Sequence, residues 1–343
     1  MLRATMKSLL FALLAAVVTA GPAHAFDPWA DTARYQLVYE VELAGLPPGA
    51  LELWLPAPRD VFDQHLIDLQ VEAPLPHRET LDALGNRIIH LEGATPPPGS
   101  APLVARFDVV REPGLGLPEG EVVKDSPDDP RRHLAPRRRI PLAGVIADLG
   151  RTVVANQTTD VEKTRALYDW VVGNMRYAKD GEGWGEGDAV WACDSKYGNC
   201  TDFHSVFLGM ARSQGLPARF VMGFPIPPGR VAGEIAGYHC WAQAHDTGAG
   251  WIPLDASEAH KTGRHDDYFG RLPSDRVAFT HGRDLILEPP QQGEPLNFFV
   301  YPYVEIDGKA VETPPWKLRY ERVPLRNRSG ATPAPTPTGP PAG

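Results

Sequence analysis

The sequence predicts an α+β protein, with an N-terminal antiparallel β-sandwich followed by a unit in which helices pack on an antiparallel sheet. Three observations carry this. Apolar residues alternate or run together between turn signals over residues 35–112, which is a strand pattern. The period becomes helical at Thr159. Then one short helix, over 198–215, is followed by apolar strands that bear His239 and Asp255.

Residues 1–25 carry the marks of a secretory leader: basic Arg3 and Lys7, the apolar run 8–20, and the small-residue site Ala23, His24, Ala25. Cleavage is expected after Ala25, with the mature chain periplasmic or secreted. The apolar run is too short to span a bilayer and no second one follows, so no membrane span is expected. The cut site is not followed by a cysteine, which argues against a lipid anchor.

The strands of the first domain, expected over 26–117, are YQLVYEVEL, GALELWLPAP, HLIDLQVEA, NRIIHLEG and PLVARFDVV. Pro-Pro-Gly and Gly-Asn breaks separate them, as in an antiparallel sandwich rather than a βαβ unit. No titratable cluster falls there, so the domain reads as a packing or substrate-presenting module. Residues 118–140 are charged and proline-rich without a period and read as a linker whose arginines face solvent. Within 141–325, a helix starts at Thr159 or Asp160, with Glu162 placed for a capping box and Ala166, Leu167, Trp170, Val171 and Met175 on one stripe. Residues 326–343 are rich in Pro, Gly, Thr and Ala and are expected to be disordered.

Composition narrows the function. The chain has 34 Lys+Arg, two of them in the leader, against 43 Asp+Glu. A net charge of -9, more negative once the leader is gone, makes nucleic acid a poor partner. The three cysteines Cys193, Cys200 and Cys240 leave at least one thiol unpaired in an oxidising compartment, a chemical risk unless it is used or buried. A Cys193–Cys240 disulfide is one way to pair the other two, although strand alternation turns Cys240 away from the His239 side.

In GNCTDFHSVFLGMARSQG, Phe203, Val206, Phe207, Met210 and Ala211 recur at helical spacing, Asn199 can cap the start and Gly215 can end the helix. Cys200 then sits in the first turn, where unsatisfied N–H groups favour thiolate. GYHCWAQAHDTGAGWIPLDAS reads as a hairpin; centred on Thr247, it sets His239 opposite Asp255. Thiol, imidazole and carboxylate then form a nucleophile, a base and the group that orients the base.

Each residue also has an unremarkable reading: a buried small hydrophobe for Cys200, a core histidine for His239, a turn residue for Asp255. Cys193, Cys200, His204, His239 and Cys240 are enough soft ligands for zinc, but adjacent His239 and Cys240 should point to opposite faces, so no metal or other cofactor is expected. Asp202 faces away from Cys200 and serves the helix start or a salt bridge. His204, one turn below Cys200, is a structural histidine or a support for it. The triplets at Asn156 and Asn199 read as chance glycosylation matches, and the loop KDGEGWGEGD lacks calcium-loop spacing.

Taken together, GNCTDFHSVFLGMARSQGLPARFVMGF, YHCWAQ and GWIPLDAS, in the order Cys, His, Asp, resemble the transglutaminase-like superfamily, which is related in architecture to the papain-like thiol proteases. The resemblance is strong over 161–257. It extends more loosely through YFGRLPSDRVAFTHGRDLILEPPQQGEPLNFFVYPYVEIDG, which looks like the downstream part of a bacterial, exported branch. It implies a transglutaminase-like core with Cys200 as nucleophile, His239 as base and Asp255 as orienter. The Cys200 N–H is a natural oxyanion donor, and an upstream tryptophan in the family suggests Trp184 or Trp191 as the second, unless both are core or rim aromatics. The implied substrate is a peptide or protein amide, cell-wall peptide among the options. Water as acceptor makes a peptidase or amidase, and an amine makes a cross-linking enzyme. A non-catalytic envelope module keeping the fold is the other class.

Overall fold

The computed structural model describes residues 25–115 and 129–325. The leader up to its last residue, the first part of the expected linker and the expected tail lie outside the described residues. The architecture is mixed α+β, with antiparallel sheets and five helices among those residues.

Two five-stranded sheets form the sandwich. The first runs in the order Ala232–Glu234, Trp316–Val323, Ala33–Val41, Leu103–Arg111, Gln64–Glu72, and the second runs Lys309–Ala310, Tyr303–Ile306, Ala50–Pro56, Arg87–Ala94, His77–Leu81. The five expected strands are present because period-two alternation gives each an apolar face. Tyr35, Leu37, Tyr39 and Val41 from one sheet pack in one core with Leu51, Leu53, Leu55, Ile89 and Leu91 from the other. Within the expected span 141–325, strands at 303–306, 309–310 and 316–323 join the sandwich sheets. The second half of the chain therefore returns to complete the first.

The helical layer comprises α1 (Val145–Val153), α2 (Asp160–Asn174), α3 (Ala189–Ser195), α4 (Cys200–Ser213) and α5 (Ala256–Thr262). At α2 the expected box forms: the Thr159 hydroxyl accepts the Glu162 N–H at 3.2 Å and Glu162 Oε2 accepts the Thr159 N–H at 2.9 Å. Helix α4 is buried along almost its whole length, between the other helices and a four-stranded sheet ordered Gly250–Leu254, His239–Asp246, Ala218–Pro225, Arg276–His281. Within that sheet Gly223 has to be glycine, because a Cβ there would lie 2.0 Å from the Val277 carbonyl oxygen and 3.0 Å from the Trp241 ring. Among the described residues no helix is long and apolar enough to cross a membrane.

Candidate active site

The site is assembled at the first turn of α4. Asn199 caps the helix by accepting the Thr201 N–H at 2.8 Å, and Asp202 closes the box by accepting the Asn199 N–H at 2.9 Å. The first helical residue is thus Cys200, whose own N–H has no acceptor one turn back and whose side chain stands at the positive end of the helix. Gly198, at φ +154°, lets the incoming chain pass beside Asp202; a Cβ there would sit 2.3 Å from its carboxylate oxygen. Asp202 also accepts the N–H groups of Gly185 at 2.7 Å and Gly187 at 2.9 Å, which ties the preceding glycine-rich loop over the helix start. Its role is therefore capping and loop anchoring, without a salt bridge.

The hairpin brings up the imidazole and carboxylate, in a register different from the expected one. Asp246 pairs with Gly250 and Ala242 with Leu254, so the turn centres on Gly248, where Asp246 Oδ1 accepts the N–H groups of Gly248 and Ala249, each at 2.7 Å. The strand ends at Leu254. Asp255 is then no cross-strand partner of His239 but the N-cap of α5. Its Oδ1 accepts the Glu258 N–H and the Ser257 hydroxyl, both at 2.9 Å, while Oδ2 lies 2.5 Å from His239 Nε2. One carboxylate caps a helix and orients an imidazole through Nε2, and the ring lies close enough to Cys200 for each to shift the pKa of the other. Asp255 is fully buried, whereas Cys200 and His239 keep 4% and 5% of their surface open, so an incoming group meets sulfur and ring and not the carboxylate.

His204 ties these parts together. The Ala256 N–H donates to its Nε2 at 3.1 Å, which places the proton on Nδ1, and Nδ1–H donates to the Cys200 carbonyl at 2.7 Å. One neutral ring thus links the helix that holds Cys200 to the turn that holds Asp255, and burial pushes its pKa down.

Two expectations for Cys240 are corrected. All three cysteines are free and buried, so there is no Cys193–Cys240 disulfide. Nor does Cys240 turn away from the site: its sulfur lies 3.8 Å from both Thr201 Oγ1 and His204 Nδ1, close enough to Cys200 for the two thiols to shift each other's pKa. Alternation fixes the face from which a Cβ leaves the strand. At the first residue of the strand the His239 ring still reaches the helix start from the other side. Among the described residues no three His, Cys, Asp or Glu side chains are gathered to hold a metal ion, so the five candidate zinc ligands are not one cluster.

These contacts set the charges. Hydrogen bonding from Cys240, then from His239, holds the Cys200 thiol well below its ordinary range despite burial. Burial works against the His239 imidazolium, but the Asp255 carboxylate outweighs it and raises the ring to about 9. Burial also opposes ionisation of Asp255, and His239 reverses this and holds the carboxyl low. Cys240 is pushed up by burial and by the Cys200 charge and stays a thiol. A thiolate facing an imidazolium is the resting arrangement.

The expected oxyanion tryptophans are placed less centrally. The half-buried Trp191, on α3, stands edge-on to Tyr197 at 5.2 Å and lines a surface groove with Val145 and Leu149, which makes it a rim aromatic. Trp184 is half-buried in the loop that Asp202 anchors. The sequence argument missed Tyr238. Its hydroxyl lies 3.3 Å from Asn199 Nδ2 and 3.2 Å from Thr201 Oγ1, the residues on either side of Cys200. Its position next to His239 in the chain was the available signal.

Fold and site together bring a thiol, an imidazole and a carboxylate to one helix start. Residues 147–256 match the model of the Transglutaminase-like superfamily. A curated but uncharacterized protein of Haemophilus influenzae is 27% identical over 229 residues, which cover 57% of this chain and 62% of that relative, so the match leaves more than a third of the relative unmatched. The fold is shared with a candidate cysteine protease from Cytophaga hutchinsonii: 16% identity, TM-score 0.58, covering 87% of this chain and 93% of that one. The periplasmic domain of TgpA from Pseudomonas aeruginosa is a more distant match, with 15% identity and a TM-score of 0.36 over 69% of this chain and 94% of that one.

Proposed function

We propose that the protein is an exported thiol hydrolase that cleaves peptide or other amide bonds through a thioester on Cys200. The observation that carries this is the His239 ring held between the Asp255 carboxylate at 2.5 Å and the Cys200 sulfur at a helix start. The thiolate adds to the carbonyl carbon, and the oxyanion forms beside the Cys200 N–H, with the Tyr238 hydroxyl, held beside Asn199 and Thr201, as the proposed second donor. The C–N bond then breaks as the imidazolium gives its proton to the leaving amine. In the second half, His239 takes a proton from water, hydroxide adds to the thioester, and the C–S bond breaks to release the acid and restore the thiolate. Asp255 holds the ring in the tautomer that both halves need. Export is supported by the leader pattern of residues 1–25.

Water is the proposed acceptor, because selective transfer to an amine requires a site that excludes water and holds the amine beside the sulfur. The test supplies a peptide pool and a glutamine-containing peptide with and without excess primary amine and follows the products by mass. Free acids or cleaved peptides should dominate even with amine present. Amine adducts dominating at modest amine concentration would make the enzyme a transferase.

A further inference from the structure

A broad surface cavity lies outside the thiol centre, on the sandwich. It has a volume of about 840 Å³ and is lined among others by Leu46, Pro47, Tyr301, Val311, Pro315 and Trp316. Its aromatic wall is ordered: Tyr301 and Trp316 stack with centroids 4.8 Å apart and planes 29° from parallel. From this wall a row of rings leads to the nucleophile. Tyr301 meets Tyr238 edge-on at 5.9 Å and accepts its N–H at 3.4 Å, and the Tyr238 hydroxyl sits between the side chains of Asn199 and Thr201. Tyr301 is near enough to the sulfur that the Cys200 charge adds to burial in raising its phenol pKa.

We propose that this cavity is a substrate subsite, which seats an aromatic or proline side chain of an extended polypeptide while another part of the same chain lies at Cys200. The proposal rests on Cys200 being the nucleophile. Flat aromatic faces flanked by prolines favour apolar, planar side chains. The only charged lining residue is Glu312, so nothing there attracts phosphate or another anion. A sugar ring also stacks on tryptophan, but most of this lining, with Leu46, Pro47, Val311, Pro314 and Pro315, is apolar. A polypeptide fits the chemistry better. At about 3.3 Å per residue, the row of rings places the subsite roughly three to five residues from the attacked bond.

The experiment measures binding to the full-length Cys200→Ala variant, which separates recognition from turnover. Peptides of equal length carry Trp or Pro, or else Gly or Ser, at each position from two to six residues on either side of a central amide. At one offset the Trp or Pro peptide should bind about tenfold tighter than its Gly or Ser counterpart, and Trp316→Ala should remove the difference. Trp316→Phe should keep it, which controls for general damage to the fold. Equal binding at every offset, a preference that survives Trp316→Ala, or displacement by peptide-free glycan fragments in place of peptides would overturn the proposal. A preserved binding preference in a protein that turns over no amide would support the subsite and remove the hydrolase.

Discussion

Replacing Asp255 with Asn tests the charge arrangement most sharply, because the amide keeps the shape and changes the electrostatics. The amide oxygen of the new side chain can still accept the Glu258 N–H that caps α5, so the local fold should survive. At the position of Oδ2, however, an amide donor would face His239 Nε2, forcing the ring proton onto Nδ1 and leaving no base toward the sulfur. The carboxylate is what lifts His239 from 6.5 to about 9 against burial, which corresponds to about 3 kcal/mol of preference for the charged ring. Without it only the Cys200 charge opposes burial, so the ring pKa falls and less of the imidazolium remains at neutral pH. The sign of the pH profile follows. In the native enzyme, activity against a fluorogenic peptide amide should fall on the acid side as the Cys200 thiolate is protonated, and on the alkaline side near pH 9 as His239 loses its proton. In Asp255→Asn the alkaline limb should move to lower pH, with kcat/KM reduced about 10²- to 10⁴-fold. An unshifted limb near pH 9 with activity within tenfold of native would refute the argument.

Other perturbations separate the parts. His239→Ala should cost about 10² to 10⁴ in kcat and also lower the thermal midpoint, because it leaves the buried Asp255 carboxylate without its partner, as read by steady-state kinetics beside calorimetry. Cys240→Ala removes the neighbouring thiol that lowers the Cys200 pKa, so the pH midpoint of Cys200 alkylation by iodoacetamide should rise; an unchanged midpoint would leave Cys240 as packing only. Asp202→Ala strips three N–H groups of their acceptor and should destabilise the fold by about 1–3 kcal/mol in denaturant titrations, with proteolysis at the 179–188 loop.

The strands of the sandwich and the start of α4 were legible because each follows from local chemistry: period-two alternation in 35–112, and Asn199 with Asp202 around a helical stripe. Elements whose cause is tertiary were not. Gly144 and Gly150 disguise α1, yet Gly150 is there so that the helix can approach α4, where a Cβ would lie 3.1 Å from the Met210 carbonyl. The return of strands 303–306 and 316–323 to the sandwich is a long-range pairing, although Asp307-Gly308 between alternating residues was a hairpin signal. At the site, Cys200, His239 and Asp255 could be named, but the hairpin register could not, since counting cannot tell a turn on Thr247 from one on Gly248. Asp255 followed by Glu258 was a readable cap signal for α5. The closeness of Cys240 to Cys200 depends on how α4 crosses the sheet, which no local pattern encodes.

The most direct test of the account is capture of the thioester. The enzyme is mixed with a peptide amide substrate, quenched in acid within the first turnovers, digested, and mapped by mass. The account predicts the acyl mass on the peptide that contains Cys200, removable by hydroxylamine, absent from Cys193 and Cys240, and absent together with all turnover in Cys200→Ala. Turnover that persists in Cys200→Ala would contradict it.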